Sequence, residues 1–357
     1  MREATRLTQT GHLTDATALI QRALAGARVP TAAPTPVAQP SVPASSFFID
    51  GIVLNRSVDG VEPSVENIDA GEFISGSHTH AGLTRNYKLY VPLQHAGRSL
   101  PLVVMLHGCT QDADDFAAGT GINARAREQG FCVLYPVQSQ DGNAQRCWNW
   151  FLRAHQQRGG GEPALLADMT QSVSKRYGID TQRVYVAGLS AGGAMADIVA
   201  AAYPEIYAAV GVHSGLPRGA ATNVAAAFAA MKNGEPVPRS TSNVSDGTVP
   251  TIVFHGDADQ TVNQKNGERV IAALRRGVGS VEPTLEQGVA SGGRGYTRST
   301  YRSDTGETIA EHWLVQGAGH AWSGGSLNGS YTDPKGPDAT AEMLRFFFEH
   351  PLRVGYY

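Results

Sequence analysis

The chain has 357 residues, more than the usual single domain, although one α/β enzyme unit often reaches this length. Its 29 Lys and Arg residues against 32 Asp and Glu residues give a formal charge of −3, and the charges are scattered without a long basic run. This charge balance gives no reason to expect nucleic acid or an anionic membrane surface as a partner.

Hydrophobic residues form 41% of the chain. They lie in short segments, whereas a membrane span needs about 18 to 20 apolar residues in succession, so we expect no membrane span. Polar residues interrupt the segment 1–26, which therefore does not resemble a secretory signal. The three cysteines, Cys109, Cys132 and Cys147, are too few for a disulfide scaffold.

The N-terminal part of the chain divides into two segments. Apolar residues from Leu13 to Leu24 recur at helical spacing, which predicts a helical appendage over residues 1–26. Residues 27–46 contain five prolines among small residues, as in a semi-extended linker. We expect the appendage to pack on the main domain, or to contact a partner or a second copy of the chain.

Strand-like and helix-like segments alternate over residues 47–357, as in a single α/β catalytic domain. The predicted strands span residues 86–91, 102–107, 131–135, 184–188, 208–213, 251–255 and 311–315. The predicted helices span residues 113–129, 164–177, 191–202, 266–276 and 339–349. Continuous apolar strands such as 102–107 are typical of a parallel sheet that is covered on both faces. We therefore predict a doubly wound, mostly parallel sheet with helices on both faces.

The segment GLSAG at 188–192 matches the pattern G-x-S-x-G, which is weak on its own because few of its positions are fixed. Here the pattern directly follows an apolar strand and directly precedes a helix-like stretch, which is the context of a nucleophile elbow. Its two glycines allow a tight turn that lifts the Ser190 hydroxyl above the sheet edge. The sequence thus predicts an α/β-hydrolase fold with Ser190 as nucleophile; a plain glycine-rich turn is the alternative.

A serine nucleophile needs a histidine base and a carboxylate that orients this histidine. In this fold the acid and then the base follow the nucleophile along the chain. His320 comes directly after a predicted strand and is the expected base. Asp259 follows another strand, within the pattern HG-x-x-D-x-x-V, and is the favoured acid, with Asp257 as the alternative.

Three further histidines, His107, His213 and His255, also end predicted strands. We interpret His107 and His255 as structural residues that connect loops, and His213 as a structural or pocket-lining residue. The chain has no H-E-x-x-H motif, no paired C-x-x-C motif and no phosphate-binding G-x-x-x-x-G-K-[ST] motif, so we expect no metal and no cofactor.

Acyl transfer at a serine also needs two backbone N–H groups directed at the oxyanion of the tetrahedral intermediate. Ala191, directly after the nucleophile, is expected to supply one of them. The other is expected from the loop after the strand at 102–107. In this loop the amide of Cys109 is the favoured donor and that of Thr110 the second candidate.

Six motifs resemble those of the poly(3-hydroxybutyrate) depolymerase esterase family, which also contains feruloyl and acetylxylan esterases. They are HGCTQ at 107–111, LYPVQ at 134–138, CWNWF at 147–151, GLSAGGAMA at 188–196, FHGDADQTV at 254–262 and GHAWSGG at 319–325. The resemblance spans about residues 72–350. It implies Ser190, Asp259 and His320 as the triad and the amide of Cys109 as an oxyanion donor.

The resemblance also implies a disulfide bond between Cys109 and Cys147 that braces the oxyanion loop, with two reduced, buried cysteines as the alternative. Cys132 lies in an apolar strand and is expected to be an inert buried thiol. Trp148 and Trp322 are close in sequence to the oxyanion loop and the base. Either ring is a candidate wall for the acyl group of a substrate, with core packing as the alternative.

Together these residues predict a carboxylic ester hydrolase that acts through an acyl-enzyme on polyhydroxyalkanoate-type polyesters, their oligomers or short acyl esters. A feruloyl or acetylxylan esterase is the alternative among enzymes, and a non-catalytic binding module on the same fold is the alternative from another class. The resemblance and the implied disulfide favour an extracellular or periplasmic location. The missing signal segment favours the cytoplasm, so the location stays open.

Overall fold

The computed structural model describes residues 71–93, 97–234, 249–275 and 282–352. The predicted appendage at 1–26 and the predicted linker at 27–46 lie outside these residues, so the division of the chain into domains stays a prediction. Within the described ranges no helix is long and apolar enough to cross a membrane.

The described residues form the following strands and helices, in chain order. The strands are β1 (Glu72–His80), β2 (Leu83–Val91), β3 (Leu102–Leu106), β4 (Cys132–Pro136), β5 (Val184–Leu189), β6 (Ala209–His213), β7 (Thr251–Gly256), β8 (Thr284–Val289), β9 (Gly295–Arg302), β10 (Thr308–Val315), β11 (Trp322–Ser323) and β12 (Thr332–Asp333). The α-helices are α1 (Ala113–Thr120), α2 (Ile122–Gln129), α3 (Gly161–Tyr177), α4 (Ala191–Ala202), α5 (Val224–Asn233), α6 (Lys265–Arg275) and α7 (Ala339–Phe348). A short 3-10 helix spans Arg153–His155.

One large sheet contains the strands in the order β1-β2-β4-β3-β5-β6-β7-β10-β9-β8. The central strands β4, β3, β5, β6, β7 and β10 are parallel to one another. An antiparallel pair of strands extends the sheet at each edge. Strands β11 and β12 form a separate parallel pair.

Alternate residues of β3 enter two different hydrophobic clusters. Leu102, Val104 and Leu106 belong to one cluster, and Val103 and Met105 belong to the other. All five side chains are buried, so the sheet is covered on both faces. This doubly wound, mostly parallel arrangement is the α/β-hydrolase fold, and the prediction made from the apolar strands is confirmed.

Some elements differ from those predicted. Residues 113–129 form two helices, because Gly121 adopts a left-handed backbone (φ 64°) between α1 and α2. The sequence pattern does not predict β1, β8, β9 or α5. Strand β8 is mostly exposed and β9 is half-buried, so neither carries the continuous apolar run that marks the central strands.

The chain changes direction across the sheet at β3. It passes from β3 to β4 on one side, whereas β5 lies on the other side of β3. In doubly wound sheets such a switch point leaves a crevice at the carboxyl ends of the strands. The loop after β3 and the turn after β5, which carries Ser190, therefore meet at one edge of the sheet.

The turn between β5 and α4 has no room for a side chain at two positions. A Cβ atom on Gly188 would lie 2.4 Å from the carbonyl carbon of Gly192, and a Cβ atom on Gly192 would lie 2.0 Å from the carbonyl oxygen of Leu106. The Gly192 Cβ atom would also lie 2.6 Å from the carbonyl oxygen of His107. The close approach of α4 to the end of β3 therefore requires both glycines.

Replacing Gly192 with alanine is expected to lower the free energy of unfolding by about 3 kcal/mol or more, because the new Cβ atom meets backbone carbonyls that move only if β3 moves. Gly319→Ala is the matched control, since a Cβ atom there meets nothing within 4 Å. Urea denaturation of both variants measures the difference. Equal midpoints for the two variants would contradict this requirement for close packing.

Candidate active site

Ser190 lies in the turn between β5 and α4 with a strained backbone. Its φ of 58° and ψ of −118° are rarely adopted by residues other than glycine. The turn is held because the Ser190 N–H donates a 2.9 Å hydrogen bond to the carbonyl oxygen of His213 at the end of β6. Ser190 directly precedes the first residue of α4, so its side chain lies at the positive end of the helix dipole.

Asp259 follows β7, and backbone and side-chain donors hold its carboxylate. Oδ1 accepts 2.9 Å hydrogen bonds from the amides of Thr261 and Val262, and Oδ2 accepts one of 2.7 Å from His320 Nδ1. Burial raises the pKa of Asp259, but the hydrogen bond and charge of His320 and the amide of Val262 outweigh burial and hold the pKa below its usual value. The carboxylate is therefore ionised at neutral pH.

Asp257, the alternative acid, has a different partner. Its side chain is exposed, and its Oδ1 accepts a 2.6 Å hydrogen bond from the N–H of Gly317. It thus fixes the start of the loop that carries His320. The structure brings Asp259, rather than Asp257, into contact with His320.

His320 lies in the loop after β10 with its ring oriented by the acid. Because Nδ1 faces the carboxylate of Asp259, Nδ1 is the hydrogen-bond donor, and Nε2 lies on the side of the ring away from the acid. The loop that carries His320 packs closely against the loop after β7 that carries Asp259, since a Cβ atom on Gly256 would lie 2.2 Å from the carbonyl oxygen of Ala318. An imidazole oriented by Asp259 therefore lies at the same sheet edge as Ser190.

The backbone amides of the loop after β3 differ in their partners. The N–H of Gly108 donates to Gln111 Oε1 at 2.9 Å, and the N–H of Thr110 donates to the carbonyl oxygen of Gln145 at 2.7 Å. Within the described part of the chain the N–H of Cys109 donates to no protein acceptor. The amide of Thr110, the second candidate, is therefore occupied, whereas that of Cys109 is available to an oxyanion.

Cys109 forms a disulfide bond with Cys147, as the family resemblance implies. The two cysteines are 38 residues apart in the sequence. A disulfide that closes a loop of this size contributes about 2–4 kcal/mol in chain-entropy terms, and here it ties the loop after β3 to the segment 147–150. Cys132 is a free, buried cysteine, and burial raises the pKa of its thiol to about 12, as expected for an inert thiol.

A buried carboxylate holds the segment 147–150 in place. Glu162, in the first turn of α3, is completely buried and accepts hydrogen bonds from Asn149 N at 2.7 Å and Asn149 Nδ2 at 2.8 Å. Burial raises the pKa of Glu162, but His155, Gln138 and the Asn149 amide outweigh burial and lower it. Sequence reasoning misses Glu162, because a glutamate in the first turn of a helix usually lies at the surface.

Trp148 and Trp322 do not form the substrate wall that their positions in the sequence suggest. Trp148 is 0% exposed and Trp322 is 1% exposed, and both belong to the hydrophobic core. The ring of Trp148 packs against His107, and that of Trp322 stacks on His213 with centroids 5.0 Å apart. The expectation of substrate contact is therefore wrong for both, since neither ring reaches the surface.

Two buried histidines connect loops at this edge, as expected. His107 Nε2 accepts a 3.1 Å hydrogen bond from the N–H of Gln138, in the loop after β4. His255 Nε2 donates to the carbonyl oxygen of Val262 at 2.8 Å, and Val262 in turn donates to Asp259. Both rings therefore act as structural connectors. In the ranges that the structure covers, no group of three or more His, Cys, Asp or Glu side chains is arranged to hold a metal ion.

His213 joins the turn of Ser190 to the loop of His320. Its carbonyl oxygen accepts the N–H of Ser190, and its Nε2 accepts a 2.9 Å hydrogen bond from the N–H of Ser323. Burial lowers the pKa of His213 to about 3, so the imidazole stays a neutral acceptor at neutral pH. One residue thus links the candidate nucleophile to the candidate base.

Replacing His213 with leucine leaves the buried N–H of Ser323 unpaired and is expected to cost about 1–3 kcal/mol of unfolding free energy. His213→Gln, the matched control, places an amide oxygen near the position of Nε2. Hydrogen exchange of the peptide 319–325 measures the local effect, which we expect to be faster exchange in the leucine variant only. Equal exchange in both variants would show that this hydrogen bond does not hold the loop.

Acid is expected to destabilise the fold through its buried histidines. Burial lowers the pKa from 6.5 to about 4 for His107, about 3 for His213 and about 4 for His312. As the pH falls from about 6.5 to about 4.5, the unfolded chain binds more protons than the folded one. The free energy of unfolding therefore decreases by about 1.4 kcal/mol per pH unit for each histidine.

Urea denaturation across this pH range measures the slope. His107→Gln removes one of the three groups and should reduce the slope by about 1.4 kcal/mol per pH unit. A stability that is independent of pH over this range would contradict the assignment of the histidines as neutral in the fold.

Comparisons with known proteins identify relatives of this chain. The family model described as Esterase PHB depolymerase matches residues 85–295. Poly(3-hydroxyalkanoate) depolymerase C of Paucimonas lemoignei is 33% identical over 229 residues, which cover 62% of this chain and 54% of that protein. Poly(3-hydroxybutyrate) depolymerase of Ralstonia pickettii is 29% identical over 272 residues, 71% of this chain and 55% of that protein. A probable acetylxylan esterase A of Aspergillus clavatus is 32% identical over 193 residues, 50% of this chain and 61% of that protein.

The matched segments thus span only 54% to 61% of the length of these three relatives.

Among solved structures, an acetyl xylan esterase from Aspergillus awamori has a TM-score of 0.61 at 20% identity and covers 77% of this chain and 99% of that chain. An S-formylglutathione hydrolase from Agrobacterium tumefaciens has a TM-score of 0.52 at 14% identity, and the match covers 81% of this chain and 99% of that chain. At such identities the likeness shows the fold alone. Because the family model matches more than half of its residues, the chain belongs to the Esterase PHB depolymerase family.

Proposed function

We propose that this chain is a carboxylic ester hydrolase that forms an acyl-enzyme on Ser190. The observation that carries the proposal is the 2.7 Å hydrogen bond between His320 Nδ1 and Asp259 Oδ2, at the sheet edge that also carries the strained serine turn. Membership of the Esterase PHB depolymerase family is a second support. Serine esterases use a serine, a histidine and a carboxylate as their catalytic groups.

His320 is the general base of the first step. Its Nε2 takes the proton of the Ser190 hydroxyl while Oγ attacks the carbonyl carbon of the ester. The ionised carboxylate of Asp259 stabilises the imidazolium that forms. The same proton then passes to the alkoxy oxygen of the substrate, which leaves as an alcohol, and the acyl group stays on Ser190.

The backbone amides of Cys109 and Ala191 stabilise the oxyanion. The amide of Cys109 has no competing acceptor within the described residues, and the disulfide holds its loop in place. Ala191 is the first residue of α4, where backbone N–H groups have no partner inside the helix. Each such donor contributes about 10² to 10³ in rate in serine hydrolases.

Water completes the cycle. His320 removes a proton from a water molecule, and the resulting hydroxide oxygen attacks the acyl carbon. Ser190 leaves and takes the proton back from His320. The products are a carboxylic acid and the free enzyme, so the reaction balances with water as the co-reactant.

We propose polyhydroxyalkanoate-type polyesters, their oligomers and short acyl esters as the substrate class. Two relatives are named as depolymerases of such polyesters, and one of these matches covers 71% of this chain. Hydrolysis of acetylated or feruloylated xylan is the second candidate, supported by the relative named as a probable acetylxylan esterase A.

Ser190→Ala is expected to lower the hydrolysis of p-nitrophenyl butyrate by at least about 10³-fold without changing the unfolding midpoint. A fluorophosphonate probe should label the wild type and not the variant. Retention of most activity by the variant would contradict the role of Ser190 as nucleophile. No labelling of the wild type would favour a non-catalytic binding module.

Asp259→Asn removes the charge that orients His320 and is expected to lower kcat by about 10⁴-fold, as a neutral amide favours the wrong tautomer. Asp257→Asn, the matched control, keeps an acceptor for the N–H of Gly317 and should lower kcat far less.

Initial rates on hydroxybutyrate oligomers, acetylated xylan and methyl ferulate compare the substrate classes. A highest kcat/KM on acetylated xylan would replace the polyester assignment by the second candidate.

A further inference from the structure

Large apolar side chains are exposed at five positions of the described chain, and two of them belong to one loop. Leu327 is 79% exposed and Tyr331 is 47% exposed. Both lie in the segment 326–332, a few residues after His320, which we call the rim loop. The segment reads SLNGSYT and contains no charged residue. Exposed apolar side chains that belong to one loop commonly mark a binding surface.

Tyr331 is attached to both sides of the candidate active site. Its hydroxyl hydrogen-bonds Thr110 Oγ1 at 3.2 Å, next to the amide of Cys109. Its carbonyl oxygen accepts a 2.7 Å hydrogen bond from the N–H of Trp322, two residues after His320. The ring therefore lies where the oxyanion loop meets the base loop.

Hydrogen bonds to helix α1 and to the loop before it hold the backbone of the rim loop in place. Asp115 on α1 accepts hydrogen bonds from Ser330 N at 2.8 Å and from Ser330 Oγ at 2.5 Å. Gln111 Nε2 donates to the same carboxylate at 2.9 Å, and the N–H of Ser326 donates to the carbonyl oxygen of Gly119 at 2.8 Å. The two exposed apolar side chains thus project from a loop that is already ordered.

Tyr331 also has a left-handed backbone, with φ of 51°. This conformation is unfavourable for a residue with a large side chain, so the surrounding contacts must hold it. A strained, pre-ordered aromatic residue beside a reaction centre suits substrate binding, because less freedom is lost when a ligand binds.

We propose that Leu327 and Tyr331 bind the part of an aliphatic polyester chain that extends beyond the ester bond at Ser190; this inference rests on the proposed function. A polyester of hydroxy acids presents methyl and methylene groups between its esters, and these match an uncharged leucine–tyrosine surface. An acetylated sugar chain presents hydroxyl groups, which an exposed leucine does not satisfy. The surface is continuous with the site through the hydrogen bond of Tyr331 to Thr110.

Adsorption to particles of poly(3-hydroxybutyrate) tests the surface without turnover. All proteins carry Ser190→Ala, and the test variant adds Leu327→Ser and Tyr331→Asn, because asparagine tolerates a left-handed backbone. The dissociation constant for the particles is expected to rise about tenfold in the test variant. Thermal melts confirm that each variant is folded.

The matched control replaces Leu285 and Val289 with serine in the same background. These two side chains are 66% and 73% exposed and lie on the edge strand β8, at the end of the sheet order. The control is expected to adsorb as the parent does. An equal loss in the control and test variants, or no loss in the test variant, would overturn the proposal.

The same substitutions with Ser190 intact separate this inference from the proposed function. The ratio of the polymer rate to the p-nitrophenyl butyrate rate is expected to fall about tenfold in the test variant and to stay constant in the β8 control. A wild type that cleaves p-nitrophenyl butyrate but not the polymer, or a constant ratio in the test variant, overturns only the inference. A wild type that cleaves neither overturns the proposed function.

Discussion

The close approach of α4 to the end of β3 is the contact on which the rest of the candidate site depends. Gly188 and Gly192 allow it, because a Cβ atom at either position would lie 2.4 Å or less from a backbone atom. The loop that carries Cys109 begins at the end of β3, so this contact also brings the two proposed oxyanion donors, Cys109 and Ala191, onto neighbouring segments. The reversal of strand order at β3 places both segments at the carboxyl ends of the strands, where doubly wound sheets leave a crevice.

Buried polar groups hold the loops around this contact. Burial lowers the pKa of His107 and of His213, so both rings stay neutral and accept backbone N–H groups. Hydrogen bonds in such surroundings are strong, and losing one leaves a costly unpaired donor. The ionised carboxylate of Glu162 likewise accepts a backbone N–H, that of Asn149, and so holds the segment that carries Cys147. Buried residues thus fix the geometry of the loops that form the candidate site.

The central strands and the serine turn are predictable from the sequence, since burial on both faces demands apolar runs and the turn demands glycines. Other features are not predictable in this way. The edge strands β8 and β9 form by pairing next to β10 and need no apolar run. Trp148 and Trp322 are next to functional loops in sequence, yet sequence distance does not say which way a ring points, and both point into the core. A glutamate such as Glu162 shows its burial only in three dimensions.

The interior of the site and its rim are subject to different physical constraints. Substituting a residue in the interior affects several hydrogen bonds at once, as the shared contacts of His213 and Asp259 show. Leu327 projects into solvent, so it can be exchanged with little effect on folding. The proposed substrate contacts of the rim loop can therefore change while the buried hydrogen bonds of the candidate site stay the same. Tyr331 belongs to both parts, because its hydrogen bond to Thr110 couples an exposed ring to the loop that carries the proposed oxyanion donor Cys109.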